Sequence, residues 1–578
     1  NNVWIEIFDN YGHMDVIFGK NADRDIFPKI HHFFQAADKV GQDTLTPAYK
    51  ELADNPEQSE LIPDSSRIPS INSSEIPITG PILSRPRKGE GHNKNSIRLW
   101  LETWNLSDQV PSKFHIECTS TTHHNGSCTD SICSDTDKIL SNRIDTRPRE
   151  QFWLLNYTFT DVIDERQYFL IEQENGHSKR IALDWHKMPW FKKAFDSDNV
   201  SENQALSFIV GSCFHPGTSF DREISSKAFK NMYDHVEEGV DHLLLLGDQI
   251  YADANANIFD PTIPFEKYRL RYRQAFANED ARKLFRNVPV YFAVDDHEFN
   301  DNWQGQFNEE VKKSDFDYAT NLALLYQMHH DDAWKGNKDL WYDFESRGFP
   351  FFVMDTRMER KDRDRYESIA LMSDRQIDGF ERWLTEHKNE EVLFIASGST
   401  IAPISQDIVK ANSLASNSDR LIAYPGFLEK IIHLLANLAS EKTIIWLTGD
   451  PHFSSLTKCS LQQDNKAINI YQICSSGIYS PIPFANDNPN KYIWNEDFDW
   501  GNDNEENWKK AEKQSIQLNT SKNPIFIEFV QKLLSSESSH FVRVDLERSN
   551  NTDRGQNMHC KFNVVTGDDG SPILSIEC

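Results

Sequence analysis

Leu243-Leu244-Leu245-Leu246-Gly247-Asp248-Gln249-Ile250-Tyr251 is the stretch on which the fold turns. Four leucines closed by a glycine read as a short strand buried on both faces, because a half-buried strand would alternate. Past the glycine the chain presents Asp248 and, three residues later, Tyr251. A carboxylate and a phenol together at a strand tip suit a hard, highly charged cation. Similar runs recur at Leu206–Val210, Val288–Val294, Phe349–Met354, Val392–Ala396, Ile444–Leu447 and, more mixed, Ile468–Ile473. Helical patterns such as Ser373–His387 and Pro425–Ala439 lie between several of them. Apolar strands alternating with helices predict an α/β domain with sheets buried on both faces.

Outside this middle region the pattern changes. Residues 1–77 mix short apolar pieces with Pro- and Ser-rich stretches and read as an irregular N-terminal extension. Residues 78–200 alternate, as in Ser96–Thr103 and Asn156–Thr160, which predicts an antiparallel β-sandwich. The third domain, 201–578, carries an insertion at 485–535 rich in Asn, Asp and Trp, a candidate lid. Within the insertion Asn523–Ser535 reads as helical, and the tail from His540 to Cys578 alternates as strands.

Size and charge narrow the classes. A chain of 578 residues is long enough for several domains and a large core. A net charge of −28 argues against specific nucleic-acid binding, which needs clustered Lys and Arg. No run of about 18 apolar residues occurs, so no transmembrane segment is expected. The start, Asn1-Asn2-Val3-Trp4, lacks an initiator Met and a signal-peptide pattern; a removed leader and a trimmed chain both fit. Eight cysteines include a group at Cys118, Cys128 and Cys133 and a pair at Cys560 and Cys578. Their spacing does not match a zinc site, and disulfides are expected there if the protein is exported. His329-His330-Asp331-Asp332 reads as a solvated stretch, since adjacent helical residues point different ways. The Asn-x-Ser/Thr sequons at Asn105, Asn125, Asn156 and Asn199 read as chance in an Asn-rich chain.

Five of the apolar runs end in chemically competent residues. They lead to Gly211-Ser212-Cys213-Phe214-His215, to Gly247-Asp248-Gln249-Ile250-Tyr251-Ala252-Asp253, to Asp295-Asp296-His297-Glu298, to Asp355-Thr356-Arg357 with Arg360 beyond, and to Gly449-Asp450-Pro451-His452. Any one of these could be an ordinary turn or cap. Five together point to ligands gathered at the carboxyl ends of strands. Sorted by hardness, Cys213, Asp248, Tyr251 and His452 suit a strongly Lewis-acidic ion such as Fe3+. Asp248 can bridge to a second ion held by Asp296 and Asp450, an oxygen-rich site for Ca2+, Mg2+ or Mn2+. Two such ions can clamp the attacking and leaving oxygens of a displacement at phosphorus. Arg357 and Arg360 could fork onto phosphate oxygens, and His297 could protonate the leaving oxygen.

In order and spacing these five motifs resemble the PhoD-like alkaline phosphatases of the calcineurin-like metallophosphoesterase superfamily. The resemblance runs from about residue 78 to 484 and includes the β-rich tail. It implies a metallophosphoesterase-type α/β/β/α sandwich with an N-terminal antiparallel β-sandwich domain. It also implies Fe3+ on Cys213, Asp248, Tyr251 and His452, with Ca2+ (alternatively Mn2+, Mg2+ or Zn2+) on Asp248, Asp296 and Asp450. A further amide ligand is implied, with Asn321 the first choice and Asn302 its rival. Pro451 stands where the family usually has Val, which keeps the ligand spacing and fixes φ locally.

The implied activity is hydrolysis of phosphate esters by a metal-activated hydroxide, with catalytic His297 and Arg357 and substrate-binding Arg357 and Arg360. One alternative is a strict phosphodiesterase acting on a nucleotide, phospholipid or cell-wall polymer. Another is a non-enzymatic surface-binding protein with a structural metal. The resemblance implies a periplasmic or secreted location, with the cytoplasm as the alternative.

Overall fold

The computed structural model describes residues 79–84, 96–105, 114–120, 135–137, 151–160, 166–174, 177–195, 205–216, 222–253, 264–308, 311–328, 339–362, 371–411, 420–439, 442–463, 466–480, 488–500, 505–518, 524–536, 539–549, 557–566 and 572–577. The expected extension 1–77 and the stretch His329–Asp332 lie outside them. The side chains of Cys118, Cys128, Cys133, Cys578 and the four sequon asparagines also lie outside the description.

Seven strands come first: β1 (Thr79–Leu83), β2 (Ser96–Asn105), β3 (Phe114–Ser120), β4 (Asp135–Asp137), β5 (Gln151–Thr160), β6 (Arg166–Glu174) and β7 (His177–Leu183). They form two antiparallel sheets, ordered β1-β2-β5-β4 and β3-β6-β7. Helix α1 (Pro189–Phe195) follows.

The next strands, β8 (Leu206–Gly211), β9 (His242–Leu246) and β10 (Val290–Ala293), run parallel. Between and around them lie α2 (Arg222–Glu238), α3 (Pro264–Phe276) and α4 (Glu279–Phe285), and α5 (Lys313–Tyr326) comes after β10. A second run supplies β11 (Tyr342–Ser346), β12 (Phe349–Met354), α6 (Asp374–Glu386), β13 (Val392–Ser397), α7 (Gln406–Ala411), α8 (Pro425–Leu438), β14 (Thr443–Thr448), β15 (Ser454–Gln463), β16 (Lys466–Cys474), α9 (Glu505–Lys510), β17 (Gln514–Leu518) and β18 (Ile525–Ser535). These eight strands form one sheet, β11-β12-β13-β14-β16-β15-β18-β17. The last strands, β19 (His540–Ser549), β20 (Asn557–Thr566) and β21 (Pro572–Glu577), return to β8 and complete a six-stranded sheet, β10-β9-β8-β19-β20-β21.

Side-chain alternation along the strands explains why their sequences do not alternate in polarity. In β12, Phe351 and Val353 join one core while Phe352 and Met354 join a second; in β13 Phe394 and Ala396 oppose Leu393 and Ile395. The first core lies between the sheets, where Phe208 of β8 meets Phe351 and Phe394 edge-on at 5.4 Å each. The second lies under α6 and α8, where Phe352 packs on Phe380 and Trp383. On the far side of the six-stranded sheet Phe292 meets Phe276 of α3 and Phe285 of α4. The layers are helix, sheet, sheet, helix, as expected.

One expectation is corrected. Asn523–Ser535 is not a helix, because Ile525, Ile527 and Phe529 are buried while Phe526 is exposed, and that period of two builds β18 against β15. β17 and β18 are built into the sheet, and Tyr492 and Trp494 pack on Phe453. Among the described residues no helix is long and apolar enough to cross a membrane.

Buried Glu102 of β2 and partly exposed Arg273 of α3 form an ion pair at 2.7 Å. Burial pushes the Glu102 carboxyl upward, but Arg273, Arg269 and the Tyr326 hydroxyl together hold the group below its ordinary 4.5. A depressed carboxyl contributes stability above the unfolded value, and that contribution is lost as pH falls through the folded one. Glu102→Gln is therefore expected to destabilise by about 2 kcal/mol at pH 7, since it removes the charged acceptor that Arg273 bonds. Urea melts should show the difference from wild type shrinking below about pH 4.

Candidate metal centre

Parallel register brings the carboxyl ends of β8, β9 and β10 level: Gly211 pairs with Leu245, and Leu246 with Ala293. The residues beyond each strand therefore emerge along one edge. The tip of β14 joins them, with Cys213 Sγ 3.6 Å from the Asp450 carbonyl oxygen. These tips are sharply bent. Cys213, Asp248, Asp450 and His452 have φ of 60°, 53°, 84° and 56°, a left-handed region that non-glycine residues enter at a cost. Asn302 (φ 53°) and Arg347 (φ 52°) are the other two such residues among those described. Gly247, at φ 94°, has a separate reason: a Cβ there would lie 2.5 Å from that of Asp295.

The expected ligands converge. Cys213 Sγ is 3.2 Å from Asp248 Oδ2, and Tyr251 Oη is 3.0 Å from His452 Nε2. Cys213, Asp248 and His452 offer ligand atoms within 4.8 Å of one another, as do Asp248, Asp295, Asp296 and Asp450. Asp248 belongs to both groups, which is the position a bridging carboxylate needs. Asp296 Oδ1 is buried and accepts no hydrogen bond, and its charged neighbour is Arg357 Nη2 at 3.7 Å. A thiol, a phenol, an imidazole and four carboxylates gathered this way fit a pair of cations, one taking sulfur and nitrogen beside oxygen and one held by oxygen alone.

The electrostatics agree. Burial, then the Cys213, Asp296, Asp295 and Glu298 charges, push the Asp248 carboxyl well above its ordinary range. Burial and the Cys213 and Asp248 charges do the same to the Tyr251 phenol. Burial pushes the Cys213 thiol up to about 12. Asp296 runs the other way: burial opposes its charge, but Arg357 and His297 hold it down at about 2. Bound cations would favour the ionised form of every one of these groups.

His297 lies beside Asp248, its backbone N–H donating to Oδ1 at 3.3 Å and its ring 4.4 Å from that of Tyr251. Nδ1 is paired with Asp253 at 2.9 Å. Burial disfavours the imidazolium, but Asp296 and Asp253 overcome that and raise the group to about 10.

Three expected residues are placed differently. Asn321 is exposed on α5 and makes no hydrogen bond to the cluster; its rival Asn302 donates its backbone N–H to Asp296 Oδ2. Arg357 is fully buried, with Nε on Asp295 Oδ1 at 2.6 Å, rather than open to solvent. Arg360 is buried too, bonded to the Thr356 and Trp303 carbonyls and to Ser399 Oγ. Sequence reasoning missed four supports: Asp253 on His297, Ser476 Oγ on Cys213 Sγ at 3.1 Å, Ser480 Oγ on His452 Nδ1 at 2.9 Å, and Glu298 beneath Asp248. Asp253 and Glu298 sit inside motifs that were read for other members. The serines follow β16, a strand whose tip offered no signal.

A family model described as PhoD-like phosphatase matches residues 208–523, more than half of the chain. No curated protein matches. Among solved structures, a structure of PhoD aligns at 15% identity with a TM-score of 0.47, covering 87% of this chain and 93% of that one. Purple acid phosphatase PPD1 from yellow lupin (Lupinus luteus) seeds aligns at 12% identity with a TM-score of 0.49, covering 87% and 75%.

Proposed function

The chain belongs to the PhoD-like phosphatase family, and from that premise we propose that it hydrolyses phosphate monoesters and diesters with metal-dependent chemistry at the centre described above. The observation that carries this reading is the placing of Asp248 in both ligand groups, within reach of Cys213 and His452 on one side and of Asp296 and Asp450 on the other.

We assign Fe3+ to Cys213, Asp248, Tyr251 and His452. Ca2+ falls to Asp248, Asp296 and Asp450, with Mn2+, Mg2+ or Zn2+ as alternatives and Asn302 rather than Asn321 as the neighbouring amide. When bound, such ions supply Lewis acidity toward phosphoryl oxygens and a hydroxide nucleophile at moderate pH. His297, steadied by Asp253, holds a proton at the mouth of the site for the leaving oxygen. Arg357 acts on Asp295 and Asp296, orienting the Asp296 carboxylate and balancing its charge.

The engagement of Arg357 and Arg360 by protein groups favours a second, narrower reading, a phosphodiesterase. A diester presents less charge and needs fewer cationic contacts than a monoester. Rates on an aryl phosphate monoester and the matching diester test both. A faster diester supports the narrower reading, and no hydrolysis of either overturns the function.

Tyr251 on Fe3+ is expected to give the purified protein a visible charge-transfer band, lost in Tyr251→Phe. A colourless, iron-free and fully active protein would remove Fe3+ from the assignment.

A further inference from the structure

Glu298 is fully buried and belongs to neither ligand group apart from its neighbours. Its two oxygens accept four hydrogen bonds. Oε2 takes the backbone N–H of Asp248 at 3.0 Å and of Asp295 at 2.8 Å. Oε1 takes the backbone N–H of Gln249 at 2.8 Å and Gln327 Nε2 at 2.9 Å. The donors come from three places: the tip of β9, the tip of β10 and the end of α5. A buried carboxylate is unfavourable unless donors surround it, and here backbone groups supply three of the four.

The arrangement has geometric consequences. Asp248 is left-handed, and its N–H is one of the groups held. Gly247 allows the two tips to approach, since any side chain there would strike Asp295. A single rigid group thus sets the spacing between the peptide that carries Asp248 and the one that leads into Asp296.

We propose that Glu298 is a positioning residue that fixes the Asp248 and Asp295–Asp296 tips before any cation enters, so that the pocket is formed in the metal-free protein; this rests on the metal-dependent reading above. Glu298 itself touches neither substrate nor ion. The opposing possibility is that the cation pulls the tips together and Glu298 merely fills space.

The test uses the full chain stripped of metal. Amide hydrogen exchange at Asp248, Gln249 and Asp295 should be slow both before and after Ca2+ is added. In Glu298→Gln an amide nitrogen replaces one oxygen and directs N–H against N–H. The calorimetric affinity for Ca2+ alone, or Mn2+ alone, should then fall about 10–100-fold. Gln327→Met removes only the side-chain donor and should leave affinity little changed. Amides that exchange freely until a cation arrives, or a Glu298→Gln variant that binds cations as tightly as wild type, overturn the proposal. Should Glu298→Gln fail to fold, the exchange measurement on wild type decides. Protected amides and tight cation binding in a protein that hydrolyses no aryl phosphate would uphold Glu298 and overturn the function instead.

Discussion

Asp248→Asn is expected to lower kcat/KM on an aryl phosphate by about 1000-fold or more, equivalent to about 4 kcal/mol of barrier. The size follows from position. Asp248 lies 3.2 Å from Cys213 Sγ and shares ligand-atom distance with His452, Asp296 and Asp450. An amide keeps the shape but offers one neutral oxygen, so it cannot serve two cations at once. The fold should persist, because Asp248's backbone bonds to Glu298 and Phe214 do not involve its side chain. Steady-state kinetics alongside a thermal melt would check both halves. Activity within tenfold of wild type in a folded variant would refute the bridging role.

The second large effect is on stability as well as rate. Stripping cations with a chelator is expected to abolish hydrolysis and lower the melting temperature, and readdition should restore both. Asp248, Asp295, Asp296 and Glu298 are each buried within one neighbourhood. Without a counter-charge such groups repel or take up protons. A ligand at a thousand times its Kd stabilises by about 4 kcal/mol, so the melting temperature should keep rising with the logarithm of cation concentration above Kd. A melting temperature indifferent to chelator would argue that the centre holds no cation in the native protein.

Much of this was legible from the chain because the strands are buried on both faces. Runs such as Leu243–Leu246 and Phe349–Met354 carry no polar residue, so a functional group at their ends stands out. The left-out parts share a different physics. Asn523–Ser535 reads as helical because Val530, Leu533 and Leu534 follow a helix-like spacing. Pairing with β15 overrode that local preference, and Phe526 was left exposed in consequence. The direction of Arg357 was also hidden. A buried guanidinium and one reaching for phosphate have the same sequence, and only the closeness of Asp295 separates them. Ser476 and Ser480 carry no spacing signal toward Cys213 or His452; the turn after β16 delivers them.

The left-handed strand tips bear on how the molecule tolerates change. At Cys213, Asp248, Asp450 and His452 the backbone already adopts angles that glycine accepts freely. Each of these four ligands thus occupies a position where its own loss to glycine would relax the main chain. In metal-free protein, where no bound cation rewards the ligands, a laboratory search for heat resistance alone would tend to erase the centre one residue at a time and enrich robust, inert proteins. Any screen for sturdier variants of this chain must therefore score turnover in the same round.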